Sequence, residues 1–428
     1  MFLKIYQLLT IILSPLIDIF MLIRLLRGKE DKVRFKERFG YSTIARPEGK
    51  VIWFQCASVG ESNSAMPLID KIIEKYNENV TVLITTGTTT SASTIYKKIA
   101  DRKNIIHQYT PIDKYFVIKR FLKHWKPDVL ITVESEIWPN MITMTHKIGD
   151  KVMIVNAKIS EKSFRRWKKF KSLKESVFDS IDICYPQSQD DQFRLINLGI
   201  QNTIYLGNLK FDIPKLKVDK DFLKNLQEST EGRHVVLCAS AHDEEKEKVA
   251  EIYKELQNNF SDLIFIVAIR HPNKSGKFYN YFMSQDLDVK RKSEGEVIDL
   301  DTNIYLYDEM GQMGTLYEFS NIVLMCGSLV PHIGGHNPVE AGKHNCAILT
   351  GPYISSNKSL FVELKKNNAC IICEGKDDVL TKNIYNNIYS LFKNETELNE
   401  LRNNASNLCD NFANVANDLA MSIITNLK

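Results

Sequence analysis

A disulfide framework is missing from this chain: 8 cysteines are scattered over 428 residues, and Cys184, Cys238 and Cys326 fall in apolar runs where a small buried hydrophobe fits. That usage excludes a cysteine-stapled secreted scaffold and points to a reducing cytoplasm. Cys370 and Cys373 do form C-x-x-C, but A-C-I-I-C reads as a strand, where positions three apart face opposite ways, so neither redox nor zinc chemistry is expected there. A dominant charge is missing too. Lys and Arg number 56 against 52 Asp and Glu, and the resulting +4 is too mild to argue for nucleic-acid binding. No G-x-G-x-x-G follows the first apolar run, where a dinucleotide enzyme needs it; C-A-S-V-G-E-S, Cys56 to Ser62, stands there instead. Internal repeats and low-complexity tracts are absent beyond a general richness in Asn and Lys.

What is present begins at the N-terminus. Phe2 to Ile23 is mostly Leu, Ile, Phe and Met, interrupted by Lys4, Gln7, Pro15 and Asp18, and Arg24, Arg27, Lys29, Lys32, Arg34, Lys36 and Arg38 follow. A secretory leader carries its charge first and a small-residue cleavage site afterwards, and neither is clear here. An apolar segment with a basic flank predicts a retained membrane anchor over residues 1–27. Asp18 and Pro15 are costly in a span and tolerable in an interfacial helix, so both arrangements stay open, as does a buried core helix.

Beyond the anchor, strand and helix signals alternate. Val51 to Gln55, Thr81 to Thr85, Ile105 to Tyr109, Asp128 to Val133, Val152 to Ala157 and Ile181 to Tyr185 are short apolar or β-branched runs separated by helix-length segments. A mixed stretch with a proline, Gly207 to Lys217, interrupts the pattern. It restarts with His234 to Ala239, Asp262 to Ala268, Ile304 to Tyr307, Asn321 to Cys326, Ala347 to Leu349 and Ala369 to Cys373. The pattern predicts an α/β protein with two Rossmann-like domains, each a doubly wound parallel sheet. In such sheets ligands bind beyond the carboxyl ends of the strands, so the loops after these runs are where chemistry is expected. The last segment, about Glu395 to Leu427, has helical spacing and should pack on a domain.

Several of those loops carry suitable groups. Glu61 sits on the glycine turn after the first run and would serve as a general base if burial raised its pKa, or would merely complement a helix N-terminus. The hydroxyl-rich T-T-G-T-T-T-S-A ending at Ala92 suits phosphate or sugar hydroxyls, or a helix cap. Glu134 and Glu136, two apart in V-E-S-E-I-W-P-N, point the same way in extended backbone and would bind a metal or orient a cationic group; a metal needs more oxygen ligands than this loop offers. In the second half, Arg270 and His271 follow one run, and Met310, Gly311 and Gln312 follow another, both expected beside the loop at Gly327.

That loop, G-S-L-V-P-H-I-G-G-H-N-P-V-E from Gly327 to Glu340, is the most informative stretch. An apolar run, a glycine loop and a helix opened by Pro338 come in the order that builds a phosphate site, with Glu340 available to ribose hydroxyls. A tight structural turn is the plain alternative. Between the halves, Arg165, Arg166, Lys168, Lys169, Lys171 and Lys174 are interleaved with Trp167 and Phe170; this is either a solvated helix face or a contact for anionic lipid headgroups.

Taken together, A-S-V-G-E, T-T-G-T-T-T, E-S-E-I-W-P-N, N-A-K-I-S-E-K-S, G-N-L-K-F-D, R-H-P, D-E-M-G-Q-M and the Gly327–Glu340 string resemble, in the same order, the Kdo transferases of lipopolysaccharide synthesis, glycosyltransferase family 30. The resemblance implies a GT-B architecture, two Rossmann-like domains facing a cleft: 28–213 binding the acceptor, and 214–428 binding the CMP-sugar with its final helix packing back on the N-terminal domain. It implies transfer of 3-deoxy-D-manno-oct-2-ulosonic acid (Kdo) from CMP-Kdo to a lipid A precursor (lipid IVA) at the cytoplasmic side of the inner membrane, with no metal and no cofactor. Glu61 matches the family's general base, while Glu134 and Lys210 match stabilisers around the reacting sugar. The family pattern puts CMP against Arg270, His271, Met310, Gly311, Gln312, Asn337, Pro338, Val339 and Glu340. Relatives more often have Arg where Lys158 stands in N-A-K-I-S. Two rivals remain: a UDP-sugar-dependent GT-B transferase or epimerase, and a membrane-tethered nucleotide-binding protein without turnover.

Overall fold

Except for Ala369 to Cys373, each apolar run becomes a strand that is almost wholly buried, which is why the runs are continuous and not alternating. A computed structural model describes residues 2–76, 78–412 and 414–427. The chain divides into two compact units, Met1–Asp212 together with Asn414–Lys428, and Ile213–Ala413.

The first unit holds β1 (Lys50–Cys56), β2 (Val80–Thr86), β3 (Ile105–Tyr109), β4 (Val129–Val133), β5 (Lys151–Ala157) and β6 (Ile183–Pro186). They form one parallel sheet in the order β3-β2-β1-β4-β5-β6. Strand order reverses between β1 and β4, so the loops leaving their carboxyl ends open a crevice. Trp53 and Phe121 pack with ring centroids 4.5 Å apart beside Trp125, and the Trp53 indole N–H donates to Thr85 Oγ1 at 2.7 Å. Burial of each such side chain contributes roughly 1.5–3 kcal/mol. The final helix, Val415–Asn426, packs on the helix Val59–Lys75; Ala416 N–H donates to Asp212 at 2.7 Å, and Tyr185 and Ser422 share a hydroxyl hydrogen bond of 2.8 Å.

The second unit holds β7 (Val235–Ala241), β8 (Ile264–Ile269), β9 (Val289–Arg291), β10 (Ile304–Tyr307), β11 (Ile322–Met325), β12 (Ala347–Thr350) and β13 (Ile371–Ile372), ordered β13-β12-β11-β7-β8-β10-β9. Every pairing is parallel, and the reversal falls between β7 and β11. The edge strand β9 was not expected, because three residues reading V-K-R leave too little apolar signal. At the other edge β13 keeps only two residues of A-C-I-I-C, and burial pushes the thiols of Cys370 and Cys373 up to about 12. All eight cysteines are free and buried. The segment from Glu395 onward divides: Glu395–Asn411 belongs to this unit and Val415–Asn426 to the first.

The N-terminus is corrected from one anchor helix to two, Phe2–Ile12 and Ser14–Leu26, bent by 56°. Pro15 supplies the break, since it fits the first turn of a new helix and not the interior of a continuous one. Among the described residues no single helix is long and apolar enough to cross a membrane. Two polar side chains of the pair bond to the helix-start segment at Asp113 and Lys114. Tyr6 Oη donates to Asp113 at 2.9 Å, and Lys114 Nζ donates to Asp18 at 2.7 Å. Leu8, Leu16, Phe20 and Leu26 are left exposed.

Candidate active site

In the first unit the site forms where β1 and β4 end. Ser58 caps the helix Val59–Lys75, its Oγ accepting from Glu61 N–H at 3.2 Å. Glu61 reaches back: Oε2 accepts from Ala57 N–H at 2.6 Å and Oε1 accepts from the Ser58 hydroxyl at 3.1 Å. The carboxylate thus braces the turn that opens the helix, beside the Ser58 cap. It is also buried, and burial, assisted by the charges of Glu136 and Glu134, raises its pKa to about 7 against the opposing hydrogen bonds. A carboxylate with that pKa is half ionised near neutrality, where a general base works best.

Glu134 does not sit in extended backbone. Its φ of +58° turns the chain at the end of β4, so the expectation that Glu134 and Glu136 present side chains in parallel is corrected. They find different partners instead. Lys210 Nζ lies 2.8 Å from Glu134 Oε1, and Glu136 accepts from the Trp138 indole N–H at 2.6 Å. The pair is fixed from behind by Asn156, at φ +51° on the irregular end of β5, whose Oδ1 accepts from Leu209 N–H at 3.0 Å. Asn208 Oδ1 accepts from Lys210 N–H at 3.0 Å, and Lys158 N–H donates to the Glu134 carbonyl at 3.3 Å. Glu134 thus orients a cation. Among the described residues no three His, Cys, Asp or Glu side chains gather as a metal-binding group. The threonine-rich loop works as a cap, Thr88 Oγ1 accepting from Ser91 N–H at 3.1 Å.

In the second unit the loop after β11 folds back on itself. Gly335 N–H donates to the Gly327 carbonyl at 2.8 Å, and Gly327 takes φ +74° with the His336 ring 2.9 Å from where a Cβ would stand. The helix at its end is short. It spans only Val339–Lys343, Pro338 is its cap residue, and Asn337 Oδ1 already accepts from Val339 N–H at 3.0 Å. So short a helix has little dipole to offer an anion. Positive charge comes from Arg270 instead: its side chain is exposed and makes no hydrogen bond or ion pair among the described residues. Its field opposes the burial that raises the pKa of Glu340.

Strand order also corrects the neighbours of this loop. β11 lies between β7 and β12, so the loops beside Gly327 are the one after β7, carrying His242 and Glu245, and the one after β12, whose Gly351 N–H donates to Ser328 Oγ at 2.8 Å. The Nε2 atoms of His242 and His336 are 2.9 Å apart with the rings stacked at 5.1 Å, and His271 stands edge-on to His242 at 5.5 Å. Burial and neighbouring positive charge hold His336 down to about 4 and lower His242. Arg270 and His271 thus join this cluster. Met310, Gly311 and Gln312 follow β10, one strand further out; Met310 is exposed and Gln312 donates to Asp219 at 3.2 Å. His242 and Glu245 were missed because C-A-S-A-H-D-E-E carries no local motif; only strand pairing places it.

The fold and sequence have clear relatives. The model for 3-deoxy-D-manno-octulosonic-acid transferase matches residues 33–213. A 3-deoxy-D-manno-octulosonic acid transferase of Rickettsia bellii is 35% identical over 88% of this chain and 89% of its own, and that of Haemophilus influenzae is 28% identical over 83% of each. Solved structures of the same fold include a glycosyltransferase from Rickettsia africae (14% identity, 89% of this chain and 99% of that one, TM-score 0.59). The UDP-GlcNAc 2-epimerase from Neisseria meningitidis is similar (14% identity, 88% of this chain and 100% of that one, TM-score 0.58). At such identity these structures speak for fold alone: two parallel-sheet α/β units like those of GT-B glycosyltransferases. The chain belongs to the 3-deoxy-D-manno-octulosonic acid transferase family, a family of glycosyltransferases.

Proposed function

We propose that this protein transfers Kdo from CMP-Kdo to a lipid A precursor with inversion, Glu61 being the general base. The observation that carries the reading is the buried Glu61 carboxylate at the β1–β4 switch point, with its pKa raised to about 7. Glu61 takes the proton of the acceptor hydroxyl as its oxygen bonds to the anomeric carbon from the face opposite the nucleotide. The bond from that carbon to the phosphate oxygen breaks, and CMP leaves with the electron pair. Such a leaving group is already stable as an anion, so one carboxylate suffices, comparable to the acceptor side of inverting glycosidase chemistry. The Glu134–Lys210 pair steadies the reacting sugar, and Arg270 with the amides of the Gly327 loop steadies the departing phosphate. His271, Met310, Gly311, Gln312, Asn337, Pro338, Val339 and Glu340 complete the nucleotide site. With Glu134 committed to Lys210, and Glu136 to Trp138, the reading needs no metal or cofactor.

The N-terminal helix pair anchors the protein at the cytoplasmic side of the inner membrane. Its exposed leucines enter the lipid boundary, while Tyr6 and Asp18 stay bonded to Asp113 and Lys114. In the same unit the helix Glu161–Lys169 presents Lys162, Arg165, Arg166 and Lys169 around one recess, suited to anionic headgroups.

Incubation with CMP-Kdo and a tetra-acylated lipid A precursor, followed by mass spectrometry, tests the reaction and counts the sugars added. Thermal stabilisation by CMP but not UDP is expected. The reverse preference would favour a UDP-sugar enzyme, and nucleotide binding without product would favour a non-catalytic protein.

A further inference from the structure

Glu245 is a carboxylate with no solvent exposure, buried at the start of the helix Lys246–Gln257. Among the described residues no Lys, Arg or His forms an ion pair with it. Its partners are backbone amides from two different loops. Oε2 accepts from His242 N–H at 3.0 Å and from Gly327 N–H at 2.7 Å, and Oε1 accepts from Leu329 N–H at 2.9 Å. These loops leave β7 and β11, the neighbouring strands between which strand order reverses. An apolar side chain in the same space would leave these buried N–H groups without an acceptor, so this carboxylate ties the two loops together.

That tie extends through short, defined links. Gly327 is held at its N–H by Glu245 and at its carbonyl by Gly335, so the carboxylate sets the start of the glycine loop, whose far end is bonded to Gly327 and, through Gly334 and Gly335, to Ser356 and Asn357. His336 follows Gly335 and lies over Gly327, and its Nε2 meets that of His242, whose own N–H is bound to Glu245. Asn337 and Glu340 come next in the chain. With only five residues of helix beyond Pro338, this loop has little regular structure of its own to fix it.

We propose that Glu245 is a positioning residue for the donor, aligning the loop Gly327–Glu340 with His242 and His336 so that the nucleotide meets a preformed surface; this rests on the donor assignment made above. Such pre-organisation acts on binding more than on the chemical step.

The test uses the full-length protein in detergent. Glu245→Gln keeps the shape but removes the charge and turns an N–H₂ group toward amides that need an acceptor. The donor KM and the Kd for CMP should rise on the order of 10- to 100-fold. The acceptor KM should hold, with kcat at saturating donor changed by less than about threefold. Glu245→Asp, which keeps the charge but retracts it by one methylene, should fall between the natural protein and Glu245→Gln. A purely architectural role predicts instead a lower Tm with unchanged donor KM. Folded Glu245→Gln that binds CMP like the natural protein overturns the inference; should that variant fail to fold, Glu245→Asp decides by the same criterion. If the natural protein itself does not bind CMP, the donor assignment fails first and this inference with it.

Discussion

Glu61 and Glu245 occupy equivalent topological places, each in the loop leaving the first strand of its own sheet and each at the start of the following helix. Both are buried, and burial raises the pKa of both. They differ in what they hold. Glu245 accepts three amides drawn from two loops, so taking up a proton would disrupt a joint between strands. Glu61 accepts one amide and one hydroxyl from its own turn, and has Glu134 and Glu136 close enough to press on its charge. On the proposed reading, one position of a repeated architecture becomes a base or a brace according to how many donors the next loop supplies.

The largest test removes the proposed base. Glu61→Gln should lower kcat by about 10²- to 10⁴-fold while CMP binding, measured calorimetrically, stays near that of the natural protein. Near-normal turnover would end the distinction drawn between the two carboxylates.

A second test turns on stability, and its sign follows from the raised pKa. The usual carboxyl value is 4.5 and the folded value is about 7, so between them the folded protein holds more protons than the unfolded chain. Stability therefore falls as pH rises through that window. Glu61→Gln carries no such penalty and should be more stable than the natural protein at pH 8, on the order of 1–3 kcal/mol, with the gap closing toward pH 5. Thermal melts at the two pH values read it directly. An equal gap at both would show that Glu61 ionises as it does in the unfolded chain.

The smallest effect concerns the neighbours. kcat/KM should rise with pH through an apparent pKa of about 7. Because the Glu134 charge helps to raise that value, Glu134→Gln should move the limb to lower pH in whatever activity remains. A limb that stays in place would assign the raised value to burial alone.

Much of the fold was legible. Parallel strands buried on both faces write themselves as continuous apolar runs, and 12 of the 13 strands coincide with runs such as Ile105–Tyr109 and Ile304–Tyr307. The exception, β9, lies at an edge and reads V-K-R. In the site, Glu61 and the glycine loop announced themselves because a turn before a helix is a local event. Glu134 misled, since nothing in V-E-S-E declares a positive φ, and Lys210, the partner of its carboxylate, lies far along the chain.

The sequence alone therefore determined the alternation of strands and helices, the family and the identity of the chemical groups, all of which reside in short strings of neighbouring residues. Tertiary structure decided which groups met. It set His242 against His336 and three amides on Glu245, and it brought Tyr6 and Asp18 of the N-terminal pair to Asp113 and Lys114. Those outcomes depend on strand order and on partners distant in sequence, and the free energy of a buried carboxylate is fixed by the donors that surround it, not by the residues beside it in the chain.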